Sequence, residues 1–161
     1  MSASTASQRA GPSPVVSVVI VSDYAGGEAK AWDDIRATVD AFARQDFTGR
    51  AEFLLSESAS IQKEIPADLS ETLPSLRLVL SPASSSYDLK NHGVRAASAD
   101  IVAIIDADCI PDPEWLRHLV EAMRLNPDVV AVSGRTVYGG RTLMERVLSL
   151  LSRSYLDPGR A

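Results

Sequence analysis

The segment Asp106-Ala107-Asp108 has the residue types and the spacing to hold a divalent cation. In extended backbone, residues i and i+2 point to the same side, so both carboxylates can face one cation. Mg²⁺ and Mn²⁺ take hard oxygen ligands and fill their remaining positions with phosphate oxygens and water. A metal held in this way neutralises the charge that develops on a leaving diphosphate. The pair therefore predicts a site for a metal and a nucleotide diphosphate.

The residues around this pair place it between a buried strand and a helix. Residues 100–105 are mostly β-branched and apolar, which predicts a strand that runs directly into Asp106. On the other side, Asp112 is a candidate N-cap and Pro113 suits the first position of a helix. This context favours the metal interpretation over the alternative, in which two solvated Asp residues only end the strand.

Strands and helices are predicted to alternate along the chain. The strands are predicted at residues 15–21, 51–55, 76–80, 100–105 and 129–132, and the helices at 31–44, 87–98, 113–125 and 141–156. Residues 59–74 are expected to form a loop with at most a short helix. This alternation is typical of an α/β fold, a doubly wound and mainly parallel sheet in a three-layer α/β/α arrangement.

Polar residues follow three of these strands. They are Ser22-Asp23, Ser56-Glu57-Ser58 and Asp106-Ala107-Asp108. Ligands of doubly wound sheets bind beyond the carboxyl ends of the strands. We therefore expect these three segments to converge on one crevice.

The composition narrows the class of protein. The chain has 161 residues, 45% of them hydrophobic, and a net charge of -5, which fits one soluble domain and argues against a nucleic-acid partner. Cys109 is the only cysteine, so an intrachain disulfide is excluded and a cysteine-based zinc site is not expected. No apolar run approaches the roughly 18 to 20 residues of a membrane span, and residues 1–14 read as a disordered tail without a secretory signal. These features favour the cytoplasm.

Three segments of the sequence resemble family 2 glycosyltransferases. Residues 100–116 resemble the DxD segment of that family, including its downstream Pro-Asp-Pro and Trp-Leu. Residues 89–97 are similar to its ARN-x-G helix, and residues 16–20 to its opening strand. The resemblance implies the GT-A fold, which is Rossmann-like and typical of nucleotide-diphospho-sugar transferases. It also divides the chain into the tail 1–14, a nucleotide-sugar-binding GT-A domain at 15–140, and the start of a truncated acceptor-side region at 141–161.

The resemblance implies transfer of a sugar from a UDP-, GDP- or dTDP-linked donor to an acceptor hydroxyl, with inversion and with Mg²⁺ or Mn²⁺. By position, Asp106 matches an acid near the ribose and metal, and Asp108 matches the principal metal ligand. The implied nucleotide-sugar site consists of Ser22, Asp23, Glu57, Lys90, Asn91, Asp106, Ala107 and Asp108. Its departures from the family include Glu57-Ser58, which stands where an Asp pair is usual.

The family also needs a general base that takes the acceptor's proton. No residue here is nominated for that role, since Glu145 reads as a solvated charge, and we expect the base beyond Ala161. The predicted helix 141–156 has arginines beside an apolar face. We expect that face to pack against the acceptor-side half or a partner, with peripheral contact at the inner face of a membrane as the alternative.

Two other functions are compatible with parts of the sequence. A haloacid dehalogenase-type phosphatase also carries D-x-D after a buried strand, but Ile110 stands where Thr or Val is common, and no Lys follows Lys90. A nucleotide-binding remnant without turnover is the non-enzymatic alternative. It predicts binding without reaction, or no binding.

Overall fold

The computed structural model describes residues 13–22, 32–136 and 147 of the chain. The predicted tail up to residue 12, the Gly26-Gly27 loop, the Gly139-Gly140 turn and almost all of the predicted helix 141–156 lie outside these residues. The elements in the described part are β1 (Val16–Val21), α1 (Trp32–Ala43), β2 (Ala51–Ser58), a 3₁₀ helix (Ala59–Glu64), α2 (Asp68–Thr72), β3 (Leu76–Ser81), α3 (Ser86–Ala96), β4 (Ile101–Asp106) and α4 (Trp115–Leu125).

The four strands form one sheet in the order β3-β2-β1-β4, and all neighbouring strands are parallel. The chain moves outward from β1 to β2 and β3, and then crosses back to β4 on the other side of β1. Right-handed crossovers in opposite directions place α1 and α3 on opposite faces of the sheet. The α/β class and the parallel sheet are confirmed. The carboxyl ends of β1 and β4 meet at the switch point, where doubly wound sheets bind ligands.

Two apolar layers cover the faces of the sheet. Every residue of β1 is buried, as its continuous apolar sequence predicts. The larger layer contains Val16, Val18 and Ile20 of β1, Ile35, Val39 and Phe42 of α1, and Leu116 and Val120 of α4. The smaller layer packs Val19, Val21, Leu54 and Val79 against Leu89 of α3. The ring centroid of Phe42 lies 5.4 Å from that of Phe53 and 5.9 Å from that of Trp115, so α1 contacts both β2 and the start of α4.

Gly93 allows α3 to lie directly on the sheet. A glycine inside a helix costs about 1 kcal/mol relative to Ala, so its presence asks for a packing reason. A Cβ atom at this position would lie 2.3 Å from Cγ1 of Val19 and 3.2 Å from Cβ of Ser56. The hydroxyl of Ser56 also donates a hydrogen bond to the carbonyl of Leu89 at 2.7 Å. These contacts fix α3 close to the carboxyl ends of β1 and β2.

The predicted fifth strand at residues 129–132 is wrong. No strand follows α4 in the described residues, and Val130 is 98% exposed. A groove of about 390 Å³ separates residues 130–134 from the β4 residues 101–104. A β-branched run forms a strand only where another backbone pairs with it. Here the run stands away from β4, which is an edge strand within the described part of the chain.

The helix α4 begins at Trp115, so the prediction that Asp112 caps it is wrong. Its N-cap is Glu114, whose side chain makes no capping hydrogen bond. The carbonyl of Asp112 accepts the N–H of Trp115 at 2.9 Å, which forms a turn before the helix. The N–H of Asp46, just after α1, donates to the carbonyl of Pro113 at 2.9 Å. This tertiary contact stabilises the turn, and the helix therefore begins only at Trp115.

The strand β2 extends to Ser58, beyond the predicted 51–55. Ser56, Glu57 and Ser58 pair in register with β3 and are buried. The expectation of a loop with at most a short helix at residues 59–74 is wrong, since two short helices lie there, the six-residue 3₁₀ helix and the five-residue α2. No helix among the described residues has the length and apolar character to span a membrane.

Candidate functional site

The carboxyl ends of β1 and β4 are joined in register. Val21 pairs with Asp106, and the N–H of Ala107 donates to the carbonyl of Val21 at 2.9 Å. Ser22 follows Val21 and is buried, and its hydroxyl has no hydrogen-bond partner among the residues that the structure describes. Ser22 and the Asp106-Ala107-Asp108 segment therefore lie side by side at the switch point.

The chain turns immediately after β4. The N–H of Cys109 donates to the carbonyl of Asp106 at 3.0 Å, which closes a β-turn that we call the 106–109 turn. The expected extended geometry of Asp106 and Asp108 is therefore wrong: Asp106 ends the strand and Asp108 lies in the turn. The turn thus exposes two carboxylates to solvent, while Ala107 between them is buried in the core.

Lys90 of α3 contacts the first of these carboxylates. Its Nζ lies 2.8 Å from Oδ1 of Asp106, and the two side chains are 32% and 54% exposed. Asp106 pairs with Val21, whose side chain belongs to the layer beneath α3, so its carboxylate points to the α3 face. The close packing at Gly93 brings α3 within reach of it. Two predicted site residues from different elements are therefore in contact.

The thiol of Cys109 lies next to the negatively charged carboxylates of the turn. Its Sγ lies 3.5 Å from Oδ1 of Asp108. Burial raises the pKa of the Cys109 thiol, and the charges of Asp108 and Asp106 raise it further, to about 11, although Lys90 opposes this. The thiol is therefore protonated at neutral pH.

The other predicted site residues have different surroundings. Glu57 is fully buried in β2, on the face where Phe53 and Leu55 pack against α1, and its Oε1 accepts the N–H of Ser58 at 2.8 Å. Asn91 is exposed on α3. Asp23 lies outside the described residues. The structure thus brings together Ser22, Lys90, Asp106, Ala107 and Asp108, and places Glu57 in the core beside them.

Thr38 of α1, which is not among the predicted site residues, supports the 106–109 turn. Its Oγ1 lies 2.7 Å from the carbonyl oxygen of Ala107 and 2.9 Å from that of Cys109. Thr38 is fully buried, next to Val39. A buried hydroxyl needs a hydrogen-bond partner, so a polar residue within the apolar face of α1 was the available signal.

Gln45, just beyond α1, supports the segment that follows the turn. Its Nε2 donates to the carbonyl of Asp112 at 2.7 Å, and its Oε1 accepts the N–H of Leu116 at 2.9 Å. The Gln45 side chain thus supplies, from another part of the same chain, a capping bond that Glu114 does not make. The end of α1 therefore fixes the start of α4.

The carboxylates of the turn suit one kind of metal site. Within the described residues, no three His, Cys, Asp or Glu side chains are grouped to hold a metal ion. Asp106 and Asp108 offer hard oxygen ligands, but only from two residues. Mg²⁺ and Mn²⁺ are commonly bound by one or two carboxylates together with phosphate oxygens and water. The ligand set therefore fits a cation shared with a phosphate ligand rather than an all-protein cage.

Comparisons with known proteins agree on the family and the fold. The profile of glycosyl transferase family 2 matches residues 17–157. The chain is 40% identical over 48 residues to the glucosyl-dolichyl phosphate glucuronosyltransferase of Haloferax volcanii, a match that covers 30% of this chain and 15% of that protein. Its structure is similar to the crystal structure of S. aureus TarS, with a TM-score of 0.53 and 17% identity, over 76% of this chain and 23% of TarS. The chain thus spans a small part of the length of either protein.

Proposed function

This chain belongs to glycosyl transferase family 2, and on that premise we propose that the 106–109 turn and the end of β1 bind the nucleoside diphosphate of a sugar donor. One observation carries the proposal. The exposed carboxylates of Asp106 and Asp108 lie at the switch point of the sheet, with the Lys90 ammonium 2.8 Å from Asp106. An ammonium and two carboxylates at one ligand-binding edge suit an anionic ligand that brings a divalent cation.

Each group has a distinct role in this proposal. Asp106 and Asp108 would hold Mg²⁺ or Mn²⁺, which when bound stabilises the negative charge of the diphosphate leaving group. Lys90 adds a positive charge beside Asp106 and can donate a charge-assisted hydrogen bond to a phosphate oxygen. In this proposal the buried hydroxyl of Ser22 contacts the nucleotide, and Asp23, Glu57 and Asn91 are proposed as further contacts.

The reaction that we propose is transfer of the sugar to an acceptor hydroxyl with inversion. A base must take the acceptor's proton. We assign no base among the described residues, and we propose that the base belongs to an acceptor-side region, whose start we place near residue 141. Membership in the family removes the support for a haloacid dehalogenase-type phosphatase.

The donor can be narrowed by the relative from Haloferax volcanii, whose name describes a glucuronosyltransferase. We therefore propose a glucuronosyl donor as the first to test, with UDP, GDP and dTDP as the candidate nucleotides. We place this activity in the cytoplasm or at the inner face of its membrane. Cell fractionation tests the location, and recovery outside the cell would contradict it.

The proposal is tested by calorimetric titration of the chain with UDP, GDP and dTDP, each with and without Mn²⁺. We expect metal-dependent binding that Asp108→Ala weakens by about 100-fold, since even the residues that support a metal ligand contribute roughly 10- to 100-fold to affinity. Asp112→Ala is the matched control, because it removes the same charge from an exposed residue in the turn before α4.

Two results would contradict the proposal. A folded chain that binds none of the nucleotides in Mn²⁺ would support the remnant instead. Equal losses in Asp108→Ala and Asp112→Ala would show that net charge, rather than the site, controls binding.

A further inference from the structure

We propose that Thr38 is a positioning residue that fixes the 106–109 turn and thereby the orientation of Asp108. The inference about the turn stands on geometry alone, while its consequence for donor affinity rests on the proposed function. Thr38 itself contacts no part of the donor in this account and acts through the backbone of the turn.

The contacts of Thr38 bracket Asp108. The carbonyl oxygens of Ala107 and Cys109, the residues on either side of Asp108, lie 2.7 and 2.9 Å from Oγ1 of Thr38. One buried hydroxyl therefore contacts the peptide group that precedes Asp108 and the carbonyl of the residue that follows Asp108. The hydroxyl has a single proton, so it is shared or alternates between the two carbonyls.

These contacts are not needed to satisfy Thr38. A threonine in a helix can donate to the carbonyl four residues earlier, and here the carbonyl of Asp34 lies 3.1 Å from Oγ1. The two carbonyls of the turn are closer, which favours donation to them. The bond to Ala107 stabilises the turn, because a buried carbonyl without a donor costs free energy.

The helix α1, which carries Thr38, is packed tightly into the core. Ile35, Val39 and Phe42 of α1 are buried in the larger apolar layer and pack against β1 and α4. The carboxylate of Asp108, by contrast, is exposed. The position of this carboxylate therefore depends on its backbone, which the Thr38 hydroxyl connects to the core.

The test compares Thr38→Val, which keeps the branched shape without the hydroxyl, with Thr38→Ser, which keeps the hydroxyl. The first readout is the rate at which a thiol reagent modifies Cys109, the only cysteine and a member of the turn. We expect Thr38→Val to raise this rate roughly tenfold, the size of one lost buried hydrogen bond, and Thr38→Ser to stay near wild type. The second readout is the affinity for UDP, GDP or dTDP with Mn²⁺, which we expect to fall by a similar factor only in Thr38→Val.

Gln45→Met is the matched control. Gln45 also joins the α1 region to the chain after β4, but at Asp112 and Leu116 instead of the turn. We expect this variant to lower the melting temperature without changing the rate at Cys109. Circular dichroism verifies that each variant is folded, and Thr38→Ala replaces Thr38→Val should the latter not fold.

The outcomes are separable. Wild-type rates and affinities in the folded variant without the hydroxyl would overturn the inference, and so would an equal acceleration in Gln45→Met, which would indicate general loosening. If the wild-type chain binds no nucleotide, the proposed function fails, while the rates at Cys109 still decide the role of Thr38.

Discussion

At the amino end of the sheet, the carboxylate of Glu52 lies among donors from three residues, whereas at the carboxyl end Asp106 and Asp108 face solvent. Oε2 of Glu52 accepts from the hydroxyl of Ser17 at 2.7 Å and from the N–H and hydroxyl of Ser98 at 3.0 and 2.9 Å, and Oε1 accepts from Arg77 at 2.9 Å. We call Ser17, Glu52, Arg77 and Ser98 the Glu52 cluster.

The contrast separates a structural acid from acids that are available for binding. The Glu52 cluster joins β1, β2, β3 and the residues before β4, and its carboxylate oxygens are already engaged. At the other end, Asp106 keeps 54% of its side chain exposed beside Lys90. The partly buried oxygens of Glu52 are satisfied within the fold, whereas exposed oxygens at a switch point can bind a ligand. Substitutions at the amino end of the sheet should therefore alter stability, whereas substitutions at the carboxyl end should alter ligand binding.

The largest effect on stability is expected for Glu52→Ala. Removing the carboxylate leaves the donors of Ser17, Arg77 and Ser98 without their acceptor, which should reduce the free energy of unfolding by about 2 to 3 kcal/mol. Urea denaturation measures the loss. Nucleotide affinity of the folded protein should stay at the wild-type value. A loss of affinity comparable to that of Asp108→Ala would contradict a purely structural role for Glu52.

The pH dependence of stability should come from the same cluster. Burial alone would raise the pKa of Glu52, but hydrogen bonds from Ser17, Arg77 and Ser98 outweigh it and lower the pKa to about 2. Because the pKa is lower in the folded state, the stabilisation is complete above the ordinary value of 4.5 and is lost as the pH falls toward 2. Urea denaturation between these pH values should therefore show a steeper loss for the wild type than for Glu52→Gln. Parallel curves would contradict this.

The smallest effect on stability is expected for Lys90→Met at the carboxyl end. Its ion pair with Asp106 is partly exposed, and such pairs contribute roughly 0 to 1 kcal/mol. Affinity for a nucleoside diphosphate should nevertheless fall about fivefold, since a charge-assisted hydrogen bond to phosphate is lost. Lys63→Met, at an exposed lysine of the 3₁₀ helix, is the control for net charge. An equal loss in both variants would remove Lys90 from the site.

The sequence predicts the centre of the fold well because the signal there is local. The strands β1 and β4 lie within one residue of their predicted ranges, because both are almost continuously apolar up to their ends. Only β1 is buried throughout, however, and the predicted burial of β4 is wrong, since Ile104 on this edge strand is 47% exposed. The run at residues 129–132 has the same composition, but a strand also needs a partner, and no local pattern shows that β4 is out of reach. The predicted start of α4 is wrong for a related reason. The contact of Asp46 with Pro113 outweighs the preference of Asp112 for the N-cap position.

The candidate site divides in the same way. Asp106 and Asp108 follow from their spacing after a strand, and Lys90 follows from the family resemblance. Thr38, which holds the site, could not be predicted, because its bond to Ala107 spans 69 residues; at the amino end of the sheet, the bond from Ser17 to Glu52 likewise spans 35 residues. Each has one weak signal, a hydroxyl within an otherwise apolar pattern.

The most direct test of the difference between the two ends is the broadening of backbone amide NMR signals by Mn²⁺ in the presence of the nucleotide that binds. We predict selective broadening at Ser22, Ala107 and Cys109, sharp signals at Ser98 and Ala99, and no selective broadening in Asp108→Ala. Broadening centred on the Glu52 cluster, or uniform broadening in a folded chain, would contradict a metal-dependent donor site at the carboxyl end of the sheet.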